Sequence, residues 1–287
     1  MRNNSKAEHI PRVLSIAGSD SGGGAGIQAD LKTFHNIGVY GMTAITALTA
    51  QNTLGVQGIH EVPPEFLEAQ ILSVLSDIGA DAVKTGMLLS TPLIQTTARL
   101  LTRFRIQNLV VDPVMVSKGG APLLVEDAVQ TLKDVLIPLS TVVTPNLDEA
   151  EALVGSPVRS VREMRDAARS IHDMGAGHVL IKGGHLEGRK EPQSGELSKA
   201  LDILYDGKTF HELTAPHIPT PHTHGTGCTL SSAIAAWLAL GKPVLEAAQK
   251  AKDYITQAIR AASPLGKGIG PVNHLSWRGG DQRGSLT

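Results

Sequence analysis

The sequence contains a single cysteine, Cys228, among its 287 residues. One thiol cannot form an intrachain disulfide, and one chain of this kind cannot supply the four thiolates of a zinc or iron–sulfur centre. Aromatic residues are also scarce, at 3% of the chain. The hydrophobic content of 41% therefore rests on small aliphatic residues, and with 30 glycines it predicts buried parallel strands packed closely on helices.

The chain has no excess of positive charge, because 26 Lys and Arg residues stand against 27 Asp and Glu residues. No basic stretch is long enough to bind nucleic acid, so we expect no nucleic-acid partner. No apolar run reaches the roughly 18 residues that a membrane span needs, and the N-terminal residues are polar, without the apolar core of a signal peptide. We therefore expect a cytoplasmic protein with no membrane partner.

Short apolar runs alternate with amphipathic stretches along almost the whole chain, as in repeated β-helix-β units of one mainly parallel sheet. Apolar residues between 64 and 78 recur at spacings of three and four, which predicts a helix. No linker divides the chain, so we expect one α/β domain over residues 1–287, with a flexible arm at 1–10, a mobile loop at 187–198 and a frayed tail at 278–287. The predicted strands are 13–17, 44–49, 82–85, 109–112, 141–144 and 178–182, with a hairpin formed by 203–205 and 209–213.

The densest glycine-rich segment is AGSDSGGGAGIQAD at 17–30, between a predicted strand and a predicted helix. It matches the G-x-G-x-x-A pattern of dinucleotide-binding folds, which also need an acidic residue about 20 positions later. Residues 31–60 contain no Asp or Glu, which counts against NAD. A plain tight turn is the structural alternative. We favour a loop whose backbone approaches a small ligand, with Asp20 and Asp30 directed at its hydroxyl or amine.

A second segment, HTHGTGCTLSS at 222–232, precedes an apolar helical stretch. Its glycines allow the amides of Gly225, Thr226, Gly227 and Cys228 to converge on an anion at the start of a helix. A cysteine in that first turn is expected to be shifted towards thiolate, although an isolated cysteine is more often a small buried apolar residue. The neighbouring histidines could suggest a metal site, but no fourth ligand is evident.

A third segment, TPNLDEAE at 144–151, follows another predicted strand. Asn146 and Glu149 lie three residues apart at a helix start, where both could face a Mg2+–phosphate complex. The same spacing also suits a helix N-cap and its capping box, so the spacing leaves both interpretations open. Lys182 is the last residue of the next predicted strand, 178–182, and could contact nucleotide phosphates at the same sheet edge.

Eight segments follow one another along the chain: AGSDSGGGAGIQAD, TALTAQNT, VKTGML, VVDPVMVSKGG, TPNLDEAE, LIKGGH, HGTGCTLSSA and GIGPVNH. This ordered set resembles the hydroxymethylpyrimidine/phosphomethylpyrimidine kinases of thiamin biosynthesis, within the ribokinase-like superfamily. HGTGCT is the most specific of them, because most superfamily members carry Asp where this chain has Cys228. The resemblance covers about residues 12–275 and implies a three-layer α/β/α domain, a homodimer, and ATP and Mg2+ as cofactors.

The resemblance also implies roles for individual residues. Asn146, Glu149, Lys182 and the loop from Gly225 to Cys228 match positions at the nucleotide phosphates, Glu149 and Asp112 match metal-holding positions, and Cys228 matches a base or proton relay. Seven residues match positions that line the pyrimidine pocket: Gly18, Asp20, Ala25, Asp30, Gln51, Met87 and Val114. The Gln51 amide suits an aminopyrimidine edge because it offers both a donor and an acceptor.

The implied activity is phosphorylation of 4-amino-5-hydroxymethyl-2-methylpyrimidine by ATP, followed by phosphorylation of the monophosphate to the diphosphate. Positioning and electrostatic stabilisation by the loop amides and Lys182 would supply most of the rate enhancement. A pyridoxal or pyridoxine kinase, or an enzyme acting on both ring types, is the nearest alternative. A nucleotide- or pyrimidine-binding protein without catalysis is the alternative from another class.

Overall fold

The computed structural model describes residues 9–115, 126–184 and 199–277. The predicted mobile loop at 187–198, the predicted tail at 278–287 and all but the last two residues of the predicted arm at 1–10 lie outside the described residues. The strands are β1 (Arg12–Asp20), β2 (Tyr40–Asn52), β3 (Gly55–Glu61), β4 (Ala82–Thr85), β5 (Leu109–Val111), β6 (Val142–Val143), β7 (Val179–Gly183), β8 (Lys199–Tyr205) and β9 (Phe210–Pro216). The α-helices are α1 (Gly26–Ile37), α2 (Pro64–Asp77), α3 (Thr91–Arg103), α4 (Glu126–Thr131), α5 (Leu147–Val154), α6 (Val161–Asp173), α7 (Thr226–Ala239) and α8 (Val244–Arg260).

The nine strands form one sheet in the order β3-β2-β1-β4-β5-β6-β7-β8-β9. The six strands from β2 to β7 in this order are parallel, whereas β3 at one edge and the β8–β9 hairpin at the other are antiparallel. The chain passes from β1 to β2 on one side and returns to place β4 on the other side of β1. Ligands of open α/β sheets bind outside the carboxyl ends of the strands at such a reversal.

Helices cover both faces of the sheet, which gives the expected three-layer α/β/α architecture. Neighbouring strand residues point to opposite faces and enter different cores. Val111 and Val143 pack with the side chains of α2 to α6 on one face, whereas Val110 and Val142 pack with α1, α7 and α8 on the other. Burial on both faces explains why the central strands are continuous apolar runs of small aliphatic residues.

All six predicted strands and the predicted hairpin are present, and the prediction for 82–85 coincides with β4. The helix predicted at 64–78 is α2, with Pro64 in its first turn. Sequence reasoning missed β3, a mostly exposed edge strand of sequence GVQGIHE. Within the described ranges, no helix combines the length and the apolar content needed to cross a membrane.

Candidate functional site

A cleft of about 1240 Å3 opens at the carboxyl ends of the parallel strands. This volume exceeds the roughly 300–1,000 Å3 of a typical single-ligand pocket and leaves room for two ligands. Most of the residues singled out from the sequence line it. They are Gly18, Asp20, Ala25, Gln51, Met87, Asp112, Val114, Asn146, Glu149, Lys182, Gly225, Thr226, Gly227 and Cys228.

Asp30 is the exception, and its expected contact with substrate is wrong for this structure. The residue is fully buried on α1 and does not line the cleft. Its carboxylate accepts hydrogen bonds from Ser15 at 2.5 Å and Ser232 at 2.6 Å and pairs with Lys84 at 2.9 Å. All these partners belong to the fold, so Asp30 joins α1 to the sheet and to α7 from behind the site.

Asp20 does line the cleft, but its carboxylate organises the loop around it. Oδ1 accepts the Gly22 N–H at 2.8 Å, and Oδ2 accepts the N–H groups of Gly24 at 3.0 Å and Ala25 at 2.8 Å. Burial opposes ionisation, yet the hydrogen bonds from His224 and these amides hold the pKa of Asp20 below its ordinary value. The carboxylate therefore fixes the course of the backbone from β1 into α1.

Apolar side chains form the wall of the cleft beside this loop. Met87 is buried with Ala47, and Val114 and Leu89 pack against this pair. Thr46 on β2 donates a hydrogen bond to the Met87 carbonyl at 2.6 Å, which ties the segment after β4 to β2. A flat ring can rest on such a surface without any aromatic side chain, because methionine adapts its shape to its neighbours.

Three charged side chains meet where β5, β6 and β7 end. Lys182 Nζ lies 3.0 Å from Asp112 Oδ1 and 3.8 Å from Glu149 Oε2. Thr144 and Ser231 also donate hydrogen bonds to Asp112, at 3.1 and 3.2 Å. Burial raises the pKa of Asp112, but Lys182 and Lys84 outweigh it and the net shift is downward. Asp112 is therefore an anion paired with the Lys182 ammonium.

Asn146 and Glu149 form a complete capping box at the start of α5. The Asn146 side chain accepts the Glu149 N–H at 2.9 Å, and Glu149 Oε2 accepts the Asn146 N–H at 2.8 Å. The structural interpretation of this spacing is confirmed. Burial nevertheless raises the pKa of Glu149 to about 7, with Lys182 opposing and Asp112 adding to the rise. Lys182 and the cap therefore do not fully offset the cost of burying the Glu149 carboxylate, and a cation bound beside it would stabilise its ionised form.

Glu149 and Asp112 offer hard oxygen donors on either side of the Lys182 ammonium. The described residues contain no cluster of three or more histidine, cysteine or acidic side chains. One or two carboxylates are nevertheless the usual protein share of a Mg2+ site, because this ion keeps several waters and binds the substrate phosphates. The donor set therefore fits Mg2+ held together with a nucleotide.

The loop before α7 has the geometry expected of an anion-binding site. Gly225 caps α7 with φ of 81°, a left-handed conformation that favours glycine, and a Cβ there would overlap the Gly24 carbonyl. Gly227 and Cys228 lie in the first helical turn, where N–H groups lack intrahelical acceptors. The Thr226 N–H differs from expectation because it donates to the Thr223 carbonyl at 3.3 Å.

Cys228 does not carry the thiolate that its place in the helix predicts. Burial raises the pKa of its thiol to about 11, although Lys84 and the Gly26 N–H at the start of α1 favour the anion. Desolvation thus outweighs two favourable neighbours, and the nearby Asp30 and Asp112 add to the rise. At neutral pH this residue is a protonated thiol facing the cleft.

Two residues of the site were not assigned from the sequence. Lys84 is fully buried in β4 and lines the cleft beneath Gly86. Burial lowers the pKa of Lys84, but its pairing with Asp30 helps to raise that pKa to about 12. A lysine inside a four-residue buried strand is a recognisable signal of a paired internal charge. His224 hydrogen bonds to Asp20 across the cleft, at 2.9 Å, which no local pattern could reveal.

The far end of the cleft is lined by the segment after β9 and by α8. Ile255 and Ile259 give this end an apolar wall, and Lys252 pairs with Asp202 at 2.6 Å beside it. The Asp202 carboxylate also accepts the Gly183 N–H at 3.0 Å. The cleft therefore has a small apolar compartment at each end, separated by the charged centre and the anion-binding loop.

Comparison with known proteins identifies the family of this chain. The family model described as phosphomethylpyrimidine kinase matches residues 20–273. The chain belongs to the phosphomethylpyrimidine kinase family. It is 46% identical over 269 residues to the hydroxymethylpyrimidine/phosphomethylpyrimidine kinase of Bacillus subtilis, covering 94% of this chain and 96% of that protein.

Other family relatives differ in length and in ring type. The chain is 55% identical to the thiamine biosynthesis bifunctional protein ThiED of Geobacter sulfurreducens, matching 92% of this chain but only 52% of that longer protein. Among solved structures, Staphylococcus aureus pyridoxal kinase in complex with AMP-PCP and pyridoxal is similar at a TM-score of 0.84 and 38% identity. That match covers 94% of this chain and 95% of that one. The family thus includes relatives named for pyrimidine and for pyridoxal substrates.

Proposed function

We propose that this kinase transfers the γ-phosphoryl group of ATP to 4-amino-5-hydroxymethyl-2-methylpyrimidine, and then phosphorylates the monophosphate to the diphosphate used in thiamin biosynthesis. One observation carries the proposal. A single cleft joins a ring-sized compartment beside Gln51 and Met87 to an anion-binding loop and the Asp112–Lys182–Glu149 centre. Each group that phosphoryl transfer needs therefore faces one shared space.

In the first reaction, the substrate hydroxyl oxygen forms a bond to the γ-phosphorus while the bond from that phosphorus to the ADP oxygen breaks. Lys182 and the first-turn amides of α7 neutralise the charge that develops on the transferred group. Asp112 and Glu149 are the residues that would hold Mg2+, and the bound ion would supply positive charge against the nucleotide phosphates. The Cys228 thiol, beside the attacking oxygen, accepts the hydroxyl proton as it passes its own proton to an oxygen of the transferred phosphoryl group.

The apolar compartment formed by Ile255 and Ile259 of α8 receives the adenine ring in this proposal, so that the phosphates extend towards Gly225 and Lys182. A reduced Cys228 and the use of ATP both suit the cytoplasm, and this location is part of the proposal.

We also propose a homodimer formed through the β3 edge, where Leu54 and Ile59 are exposed at 67% and 41%. Light scattering of a Leu54→Glu variant tests the dimer, which should become monomeric.

The activity is tested by following ADP release from the purified chain with hydroxymethylpyrimidine, with its monophosphate and with pyridoxal. We expect turnover of the first two substrates. Turnover of pyridoxal alone would support the second candidate, a pyridoxal kinase, which the similarity to the Staphylococcus aureus enzyme favours. No ADP release with any ring would support a protein that binds nucleotide without catalysis.

Gln51→Leu tests the ring compartment. Loss of the amide leaves the polar edge of a buried aminopyrimidine unpaired, so we expect the pyrimidine KM to rise about 10-fold or more while the ATP KM stays unchanged. Gln107→Leu, in the exposed turn before β5 and outside the cleft lining, is the matched control and should behave as wild type. An unchanged pyrimidine KM in Gln51→Leu would remove this residue from the pocket.

A further inference from the structure

His224 connects the two loops of the site through one ring nitrogen. Its Nε2 lies 2.9 Å from Asp20 Oδ2 and 3.3 Å from Gln51 Nε2. The His224 side chain is only 13% exposed and the Asp20 side chain 3%, so water does not readily replace either contact. A ring nitrogen carries either a proton or a lone pair, never both. Asp20 therefore requires a proton on Nε2, whereas the Gln51 amide nitrogen requires a lone pair on the same atom.

The hydrogen bond to Asp20 is the stronger of the two contacts and determines whether Nε2 carries a proton. Its carboxylate is an anion enclosed by three backbone N–H groups, and a fourth donor completes its surroundings. A lone pair on His224 Nε2 would instead face a buried negative charge at 2.9 Å. Hydrogen bonds to an ionised acceptor are about twice as strong as neutral ones. The proton accordingly stays on Nε2 and is donated to Asp20.

Gln51 must then present its carbonyl oxygen to His224, because an amide nitrogen only donates. A half-turn of the amide makes this exchange without moving other atoms. Thr49 is compatible with the turned amide. The Thr49 hydroxyl lies 3.2 Å from Gln51 Oε1 and also donates a hydrogen bond to the Ser19 carbonyl at 2.9 Å. A hydroxyl that already donates elsewhere can accept from an amide N–H. Thr49 can therefore hydrogen bond to Gln51 in either orientation of the amide. Protonated His224 Nε2 can do so only when the Gln51 carbonyl oxygen faces it.

We propose that His224 is a positioning residue that fixes the orientation of the Gln51 amide and thereby selects substrates with an aminopyrimidine edge. Such an edge has an amino donor next to a ring-nitrogen acceptor, and an amide of fixed orientation matches the pair. Pyridoxal has no amino group beside its ring nitrogen and gains nothing from that orientation. The inference rests on the proposed function, since it assigns the specificity of the same pocket.

The backbone of His224 suits it to this task. Its N–H donates to the Gly270 carbonyl at 3.1 Å, and its carbonyl accepts the Val272 N–H at 3.2 Å. The ring packs so closely on the first glycine loop that a Cβ at Gly24 would lie 2.5 Å from His224 Cδ2. The next residue, Gly225, caps α7. His224 is therefore held in place by its backbone, contacts Gln51 in the ring compartment, and directly precedes the anion-binding loop.

The test compares His224→Leu with His224→Gln in steady-state assays with hydroxymethylpyrimidine, pyridoxal and ATP as varied substrates. The leucine variant should raise the hydroxymethylpyrimidine KM about 10-fold, because the Gln51 amide loses the group that fixes its orientation. Its KM for ATP, and for pyridoxal if that ring is turned over, should change little. Glutamine places a permanent donor near the position of Nε2, so it should restore the low pyrimidine KM.

His211→Leu is the matched control, because His211 lies in β9, hydrogen bonds to Asp206 at 3.1 Å and contacts neither Gln51 nor Asp20 in the described structure. Its pyrimidine KM should stay at the wild-type value. The double variant with Gln51→Leu should be no worse than Gln51→Leu alone if His224 acts through Gln51. Failure of His224→Gln to restore the KM, or additive losses in the double variant, would overturn the proposal.

A measurement on the unliganded protein separates this inference from the proposed function. The 15N chemical shifts of the His224 ring report which nitrogen is protonated, and we expect the proton on Nε2. If the protein turns over no pyrimidine but Nε2 is protonated, the proposed function fails while the arrangement of His224, Asp20 and Gln51 stands. An unprotonated Nε2 would overturn the inference even in an active kinase.

Discussion

The thiol of Cys228 lies in the first turn of α7 and within reach of the Gly26 N–H at the start of α1. Two helix starts and Lys84 favour the anion, yet burial raises the thiol pKa to about 11. At pH 7 the thiolate is therefore a minor species, and Cys228 is suited to relaying a proton during the reaction rather than to holding a resident negative charge.

Cys228→Ala should distinguish the two phosphorylations. The hydroxymethyl substrate must lose a proton as its oxygen attacks, whereas a monophosphate nucleophile is already ionised near neutral pH. We expect kcat for the first step to fall about 100-fold or more, within the usual contribution of general acid–base groups, and kcat for the second step to fall much less. Separate assays of the two substrates measure this, and equal losses would show that Cys228 only shapes the anion loop.

At the scale of elements, the helix cap at α5 and a metal-holding role share the same residue. Glu149→Gln separates them, because glutamine still completes a capping box but carries no charge. Since burial raises the pKa of Glu149 to about 7, folding favours its neutral form and ionisation above pH 4.5 costs stability. The two roles therefore predict opposite effects of the same substitution.

Glu149→Gln should weaken the apparent affinity for Mg2+ in the ADP-release assay by about 10-fold or more. The unliganded variant should at the same time melt about 2–4 °C above wild type at pH 8, since it no longer buries an ionised carboxylate. Asn146→Ala is the control, because it removes the cap and should lower the melting temperature. A Glu149→Gln variant with normal Mg2+ dependence would leave Glu149 with the cap alone.

Lys84 and Asp30 join β4 to α1 through a fully buried ion pair. Removing one partner leaves an uncompensated internal charge, which typically costs about 3–5 kcal/mol, whereas replacing both with apolar residues is often neutral. Lys84→Met should therefore lower the free energy of unfolding in urea by that amount. The double variant with Asp30→Asn should recover much of the loss, because the amide is neutral and its oxygen can still accept a hydrogen bond from Ser15 or Ser232. A double variant as unstable as the single one would contradict this prediction.

The sequence predicts elements where one local pattern determines them. The predicted bounds of strand β4 agree with the structure because AVKT lies between Asp81 and Gly86 and is buried on both faces. Strand β3 was missed because its residues are mostly exposed and two are glycine. Asp30 was misplaced because sequence spacing does not show which face of α1 packs on the sheet. The contacts of Lys84 and His224 depend on residues 54 and 204 positions away, so only the folded structure reveals them.

For the molecule as a whole, His274 and Glu149 give stability opposite dependences on pH. Burial lowers the pKa of His274 to about 4, helped by Lys32, so folding favours the neutral ring. The stability it contributes is present above its unfolded pKa of 6.5 and is lost as pH falls towards 4. Glu149 acts in the other direction, because acidification from pH 7 to pH 4.5 removes the cost of its buried charge.

His274→Gln should therefore make the protein less sensitive to acid. The Thr229 hydroxyl lies 2.9 Å from His274 Nε2, and a glutamine amide can serve the same hydroxyl without titrating. Between pH 7.5 and pH 5, wild type should lose roughly 2 kcal/mol through His274 that the variant keeps. Urea unfolding of both proteins at the two pH values measures the difference. A Glu149→Gln variant that retains His274 should lose more free energy of unfolding than wild type as the pH falls, because it lacks the stability that Glu149 gains on acidification. Parallel pH profiles for wild type and His274→Gln would show that this ring stays neutral in the unfolded chain or charged in the folded one.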